Sequence, residues 1–148
     1  MWTLVRDSGV LEANSCYAYM LLCTHFADTC LVAERDGRGV GFVAAYRPPT
    51  HPDAVFVWQV GVSAEARGQG LGKRLLHALL RSPGCRDVHF LEATVGSSNV
   101  ASQRLFRAVA RELGVDCAVQ RGFSGADFGP LAHEDEELFR IGPIRRNP

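Results

Sequence analysis

The centre of the chain contains two apolar runs separated by a stretch with helical spacing. Residues 54–62 are rich in valine and aromatic side chains, which is typical of a buried strand, and residues 88–95 form a second such run. Between them, leucines recur every three or four positions over residues 71–81 and predict a helix that ends before Ser82-Pro83-Gly84. Two strands joined by one helix are expected to run parallel, with a right-handed crossover.

Two more strands are predicted before this unit. Residues 29–35 and 38–46 are expected to pair through a tight hairpin at Asp36-Gly37, a dipeptide that suits two-residue turns. The proline-rich residues 47–53 cannot continue a strand or begin a helix, so they are predicted to form a loop.

Helices are predicted near both ends of the chain. Residues 2–8 form a short predicted helix closed by Gly9, and a second helix is expected to begin at Asn14 or Ser15. Residues 99–113 predict a later helix, capped by the Ser-Ser-Asn stretch before it. The side chains expected to face the core are Tyr17, Met20 and Leu21 in the earlier helix and Val100, Leu105, Val109 and Leu113 in the later one.

The C-terminal part combines a glycine-dense loop, an acidic run at 133–137 and an alternating stretch at 138–141 that predicts a closing strand. Together the elements predict an α/β fold with a mixed sheet, mostly antiparallel with one parallel pair, and helices on both faces. No repeat or linker divides the chain, so residues 1–148 are expected to form a single domain.

Charge and cysteine usage exclude several classes of function. Lys plus Arg and Asp plus Glu each number 16, and this balance argues against nucleic acid or an anionic membrane as the main partner. The 5 cysteines include no Cys-x-x-Cys pair, so we interpret them as reduced thiols and expect no metal site. Neither a membrane span nor a signal-peptide core is visible, which predicts a cytoplasmic protein.

The candidate chemistry begins with Arg-Gly-Gln-Gly-Leu-Gly at residues 67–72, just before the central helix. Backbone N–H groups at a helix start attract anions, and glycines let a ligand approach them closely, so we expect a phosphate or pyrophosphate here. The P-loop pattern fails because Arg74 follows Gly72-Lys73, and the dinucleotide pattern fails because the three glycines strictly alternate. A flexible loop without a ligand is the plain alternative.

The stretch Arg67-x-x-Gly70-x-Gly72 after an apolar strand resembles the pyrophosphate loop of the GCN5-related N-acetyltransferases (GNAT), whose donor is acetyl-coenzyme A. The resemblance implies the GNAT fold, with backbone N–H groups near Gly61 and Val62 holding the thioester carbonyl where the central strand parts from its parallel neighbour. It also implies that Asn99 contacts the pantetheine arm. The implied coenzyme-binding residues are Val60, Gly61, Val62, Arg67, Gly68, Gln69, Gly70, Leu71, Gly72, Lys73 and Asn99.

Several longer stretches resemble one family within that superfamily, the L-2,4-diaminobutyrate acetyltransferases of ectoine synthesis. They include Cys-Thr-His-Phe-Ala-Asp-Thr at 23–29, Tyr-Arg-Pro-Pro at 46–49, Trp-Gln-Val at 58–60 and Leu-Glu-Ala-Thr-Val at 91–95. The resemblance implies acetyl transfer from acetyl-coenzyme A to the side-chain (N4) amine of 2,4-diaminobutyrate, in a homodimer. An acceptor with two ammonium groups and one carboxylate needs acids, an apolar wall and hydrogen-bond donors.

Matching positions supply candidates for that acceptor site. Glu12, Trp58, His133 and Glu136 are implied as substrate-binding residues, and Glu136, His133 and Glu92 are the candidate proton acceptors. Plain interpretations stand beside these: Trp58 as a core residue, and the acidic run as a solvated surface. Glu92 interrupts an apolar strand and is a base, a residue that holds water or the partner of an arginine.

Two features depart from the superfamily pattern. The predicted helix at residues 99–113 carries Phe106 where many members have a tyrosine that protonates the leaving thiolate. Water is therefore expected to take this role. The family's first strand is expected to be missing, because the chain begins within the first predicted helix. Two alternatives therefore stay open: the same chemistry on another amine, and a non-catalytic acyl-coenzyme A binding module.

Overall fold

The computed structural model describes residues 1–9, 11, 13–130 and 132–145, and within them the chain forms four α-helices and six β-strands. The helices are α1 (Trp2–Ser8), α2 (Cys16–His25), α3 (Leu71–Arg81) and α4 (Val100–Leu113). The strands are β1 (Cys30–Arg35), β2 (Arg38–Tyr46), β3 (Ala54–Val62), β4 (Phe90–Gly96), β5 (Cys117–Arg121) and β6 (Glu136–Ile141).

All six strands join one mixed sheet in the order β1-β2-β3-β4-β6-β5. Neighbouring strands run antiparallel except β3 and β4, which are parallel and connected through α3. The predicted α/β fold with one parallel pair in a mostly antiparallel sheet is therefore confirmed. The hairpin at Asp36-Gly37 and the bounds of α3 and β3 also agree with the sequence patterns.

The two faces of the sheet carry different helices, as predicted. Leucines of α3 and the buried side of α4 pack on one face against Val43, Val55 and Val57, forming the larger core. On the other face, α1 and α2 cover a smaller cluster around Val5, Tyr19 and Phe42. Among the described helices, none combines the length and apolar character that crossing a bilayer requires.

A β-bulge interrupts β3 at Trp58. Ala44 of β2 pairs with Gln59 and Ala45 pairs with Val57, so Trp58 has no partner residue in the register. Tyr19 lies beside both bulge residues: its ring centroid is 5.5 Å from that of Trp58, and its hydroxyl donates to Gln59 Oε1 at 2.7 Å. The extra residue therefore presents two consecutive side chains to the α2 face of the sheet.

The predicted inward face of α2 is wrong. Ser15 caps the helix as expected, but Tyr17 is 65% exposed, Met20 is 60% exposed and Leu21 is also exposed, whereas Tyr19 is buried. A helix that is apolar on all sides has no single core face that periodicity can select.

Three further differences concern the second half of the chain. In α4, Phe106 and Ala110 join Val109 in the core, and Val100 is exposed. Strand β5 was not predicted, and β6 begins two residues before the predicted closing strand. Within the described residues no strand precedes α1.

Candidate active site

The parallel strands β3 and β4 separate soon after they meet. Only Ala54–Phe56 pair with Phe90–Glu92, so the remaining two thirds of β3 faces a gap. The Ser63 N–H donates to the Val40 carbonyl, and strand alternation consequently directs the Gly61 N–H at β2 and those of Val60 and Val62 at the gap. The free backbone N–H groups that the resemblance implies near Gly61 and Val62 are therefore those of Val60 and Val62.

The glycine loop follows directly at the carboxyl end of β3. Gly68 and Gly70 have φ values of +73° and +71°, and Gly70 is the N-cap of α3 with no side-chain hydrogen bond at the cap. A Cβ at Gly68 would meet no atom within 4 Å, so backbone conformation rather than space calls for glycine there. The first-turn N–H groups of α3 and its positive dipole end can hold an anionic pyrophosphate.

Charged and polar side chains fix the shape of this loop. Arg67 Nε donates to the Val62 carbonyl at 3.3 Å, and Gln69 bonds both the Arg35 guanidinium at 2.9 Å and the Glu65 carbonyl at 3.1 Å. These contacts hold the loop against the end of the sheet.

Lys73, in the first turn of α3, forms an ion pair with Glu112 of α4. Glu112 also lies 2.8 Å from His77 Nε2. The hydrogen bond from Lys73, followed by that from His77, lowers the pKa of the Glu112 carboxyl. The lysine predicted to meet coenzyme phosphate is therefore already paired with a carboxylate.

The β4–α4 loop, residues 97–99, lies at the same end of the sheet as the glycine loop because β3 and β4 are parallel. Asn99 caps α4: its Oδ1 accepts from the Ser102 N–H at 3.0 Å. Gln103 Nε2 donates to the carbonyls of Gly96 and Ser97, which ties the loop to the helix. The contact between Asn99 and pantetheine stays a prediction.

His133 and Glu136 lie together beside this loop. The His133 ring stacks on Phe128 at 3.7 Å between centroids, and its Nδ1 lies 2.7 Å from the Glu134 carbonyl oxygen. His133 Nε2 is 3.9 Å from Glu136 Oε1, and the two side chains are 22% and 21% exposed. Glu136 pairs with Gly96, at the end of β4 that has left β3.

The acidic run is held by specific partners, which sequence reasoning did not foresee. Glu134 accepts from both serines of the β4–α4 loop: from the Ser97 hydroxyl at 2.7 Å, the Ser98 hydroxyl at 2.7 Å and the Ser98 N–H at 2.9 Å. The Ser98 hydroxyl, then the Ser97 hydroxyl, holds the pKa of Glu134 below its usual range. Asp135 accepts from the Gly125 N–H at 2.7 Å.

Two substrate-binding predictions fall near the bulge. Trp58 is half-buried on the α2 face beside Tyr19. Glu12 lies outside the described residues, but Leu11 packs on β3, where a Cβ added at Gly61 would come within 2.5 Å of Leu11 Cδ1. Leu11 therefore lies against β3 close to the gap.

Glu92 is the partner of an arginine, one of the three alternatives left open. It is 5% exposed, and its Oε1 accepts a hydrogen bond from Arg140 Nη1 on β6. Arg140 also lies 3.9 Å from Asp53 and covers the Phe90 ring. A carboxylate neutralised in this way is poorly placed to accept a proton from an amine.

Two features of the described residues bear on the chemistry. Phe106 is buried with its ring centroid 6.3 Å from that of Phe139, so this position offers no phenol to a leaving group. Within the described part of the chain, no group of three or more His, Cys, Asp or Glu side chains is arranged to hold a metal ion.

Comparison with known proteins identifies close relatives. The acetyltransferase (GNAT) family model matches residues 3–110. The chain is 46% identical over 145 residues to the L-2,4-diaminobutyric acid acetyltransferase of Shouchella clausii, covering 98% of this chain and 81% of that protein. It is 48% identical over 146 residues to the enzyme of the same name from Bordetella parapertussis, covering 98% and 78%.

A solved structure is similar over nearly the whole fold. It is the diaminobutyrate acetyltransferase EctA from Paenibacillus lautus, in complex with its substrate L-2,4-diaminobutyric acid and coenzyme A. The TM-score is 0.91 at 46% sequence identity, covering 99% of this chain and 89% of that chain.

Proposed function

Because the chain belongs to the acetyltransferase (GNAT) family, we propose that it transfers the acetyl group of acetyl-coenzyme A to the N4 amine of L-2,4-diaminobutyrate. The product is N4-acetyl-L-2,4-diaminobutyrate. The observation that carries the proposal is the match, over 99% of this chain, to a relative solved with diaminobutyrate and coenzyme A.

The residues around the gap fit the donor. The N–H groups of residues 67–73 and the dipole of α3 bind the pyrophosphate, while the Lys73 ammonium adds positive charge at the same helix start. Asn99 contacts the pantetheine arm from the opposite side of the gap. Acetyl-coenzyme A supplies an activated thioester carbonyl, and the N–H groups of Val60 and Val62 stabilise the negative charge that develops on its oxygen.

The acceptor lies between the bulge and the acidic segment. Glu12, His133 and Glu136 offer charge and hydrogen bonds to its polar groups, and Trp58 provides the apolar wall. Glu136, acting with His133 at 3.9 Å, takes the proton that the N4 ammonium must lose before it can attack. We do not assign this role to Glu92, because its carboxylate already accepts a hydrogen bond from Arg140.

The neutral N4 amine bonds to the carbonyl carbon and the carbon–sulfur bond breaks. The leaving thiolate takes a proton from water, and the hydroxide formed takes the second N–H proton, which the nitrogen loses as it becomes an amide. Water serves as the acid because Phe106 stands at the position of the usual tyrosine and is buried. No redox step and no metal ion enters this scheme.

The setting of the reaction is part of the proposal. We place it in the cytoplasm as a step of ectoine synthesis, supported by five cysteines that are all free thiols. A homodimer is supported by the apolar face of α2, where Tyr17, Met20 and Leu21 are exposed at helical spacing. Sedimentation velocity of the wild type and of Tyr17→Ser/Met20→Ser tests this: the proposal requires a wild-type dimer that the double variant weakens.

Thiol release from acetyl-coenzyme A tests the activity. Diaminobutyrate is compared with ornithine, lysine and putrescine at equal concentrations, and the position of the acetyl group is read by NMR. Strong preference for diaminobutyrate with N4 acetylation is the expected result. Faster turnover of another amine would identify that amine as the acceptor. Coenzyme binding without turnover of any amine would favour the non-catalytic binding module.

A further inference from the structure

We propose that Glu134 is a positioning residue for this reaction, which fixes His133 and Glu136 to the β4–α4 loop on the coenzyme side of the gap. The inference rests on the proposed function for its kinetic part. It concerns a residue that touches neither the amine nor the thioester in the scheme above.

The Glu134 carboxylate bridges two segments that are distant in sequence. One oxygen accepts from the Ser98 hydroxyl, and the other accepts from the Ser97 hydroxyl and the Ser98 N–H, all between 2.7 and 2.9 Å. A Cβ at Gly96 would collide with this carboxylate, so the strand end is shaped around it. Three charge-assisted hydrogen bonds hold the bridge more firmly than neutral bonds would.

Both ends of the bridge belong to the site. The loop end continues into Asn99, which caps α4, and the acidic end carries His133 immediately before Glu134 and Glu136 two residues after it. The backbone of Glu134 contributes as well, because its carbonyl oxygen lies 2.7 Å from His133 Nδ1. One residue therefore sets the ring orientation of His133 and the distance of its segment from β4.

An ionised carboxylate gives all three partners a charge-assisted hydrogen bond. The Ser98 N–H can only donate, so a glutamine would keep its oxygen on that side and place its NH₂ group against the Ser98 hydroxyl, and each hydrogen bond would then be a weaker, neutral one. The same hydrogen bonds lower the pKa of Glu134, which keeps it ionised throughout the neutral range. Phe128, stacked on His133, supports the ring from the other side.

The first experiment is a double-mutant cycle in steady-state kinetics. Glu134→Gln, Ser97→Ala/Ser98→Ala and the combined variant are compared with Glu137→Gln, an exposed acid on the opposite face of β6. We expect Glu134→Gln to lower kcat roughly 10- to 100-fold, as small misplacements of catalytic groups do, while the KM for acetyl-coenzyme A changes less than about twofold. The serine variant should lose a similar factor, and the combined variant little more.

The second experiment does not depend on turnover. The His133 ring protons, assigned by their loss in His133→Gln, should be shifted upfield by the Phe128 ring in wild type and in Glu137→Gln. Glu134→Gln should reduce this shift. If wild type acetylates another amine, the kinetic cycle is repeated with that amine; if it acetylates none, the NMR comparison alone decides.

The proposal would be overturned if Glu134→Gln had the same kcat as Glu137→Gln, if the losses in kcat multiplied in the combined variant, or if the His133 ring shift were unchanged in Glu134→Gln. A kinetic loss confined to the KM for acetyl-coenzyme A would also overturn it, because Glu134 would then serve the coenzyme loop alone.

Discussion

Glu92 and Arg140 face each other across β4 and β6, and the guanidinium donates to the carboxylate at the point where β3 leaves β4. The pair lies where the gap between β3 and β4 begins. Phe90 lies beneath the guanidinium at 3.7 Å, and Asp53 approaches it from the start of β3. The buried charge of Glu92 is thus neutralised by an arginine of the neighbouring strand.

Replacing Arg140 by Met should destabilise the fold by about 3–5 kcal/mol, because the buried Glu92 carboxylate loses its partner. Glu92→Gln should cost less and should keep kcat within about tenfold of wild type, since a residue paired with arginine does not accept the amine proton. Urea denaturation and initial rates measure the two effects.

Arg121→Met, an exposed change on the edge strand β5, is the control for losing one positive charge. If Arg140→Met is no less stable than this control, or if Glu92→Gln loses kcat as severely as Glu136→Gln, the structural role of the pair is wrong.

Glu136→Gln should lower kcat by about 10²- to 10⁴-fold, because the N4 ammonium loses its proton acceptor. The KM for acetyl-coenzyme A should stay near its wild-type value, since Glu136 lies on β6, away from the glycine loop. Raising the pH should recover part of the rate, because a larger fraction of the N4 amine is then neutral without transferring a proton to residue 136. Glu137→Gln, the next residue in the strand, is the matched control and should behave like wild type.

Gly70→Ala should weaken coenzyme binding and destabilise the protein by about 1 kcal/mol, because φ is +71° at the N-cap of α3. Gly114→Ala is the matched control, with φ of +65° at the far end of α4 and no atom within 4 Å of an added Cβ. Both variants should unfold earlier on heating. Only Gly70→Ala should raise the KM for acetyl-coenzyme A; equal effects on KM would remove the loop from the coenzyme site.

Glu112→Gln should tighten coenzyme binding roughly two- to fivefold at low salt, because Lys73 is then released from its ion pair toward the anionic pyrophosphate. Isothermal titration with coenzyme A at two ionic strengths checks this. The gain should shrink in high salt, and a gain that persists there would not be electrostatic.

The same carboxylate predicts a pH dependence of stability. Glu112 has a lowered pKa in the folded state, so its stabilising contribution is complete above the unfolded value of about 4.3 and is lost as pH falls through the folded value. Melting temperatures measured from pH 7 to pH 3 should therefore fall less steeply for Glu112→Gln than for wild type.

The fold could be predicted from the sequence where one pattern dominated locally. The bounds of α3 and β3 follow from leucine spacing and an unbroken apolar run. Strand β5 was missed because four of its five residues are exposed, which leaves no alternation to detect. In α2 the spacing of Tyr17 and Met20 was real, but sequence cannot tell which of several apolar faces the chain itself covers.

The site could be predicted only as far as a family pattern reached. His133 and Glu136 were predicted as site residues from the resemblance, and that role stays a prediction. Glu134 between them was not singled out, because its partners lie 36 residues or more away in sequence. For the same reason, pairing of Glu92 with an arginine could be stated as one of three alternatives, but Arg140 could not be named as the partner. Long-range hydrogen bonds leave no periodic signal.

The bulge at Trp58 divides β3 into two alternations of opposite phase. Val55 and Val57 face α3 and α4 before it, and Val60 and Val62 face the same helices after it, so odd and even positions exchange sides within a single strand. An alignment that counts alternate residues from one end would assign the other end to the wrong surface. Trp58 and Gln59 both lie beside Tyr19 on the α2 face, so deleting one of them would restore a single alternation and turn the side chains at one end of β3 to the opposite face.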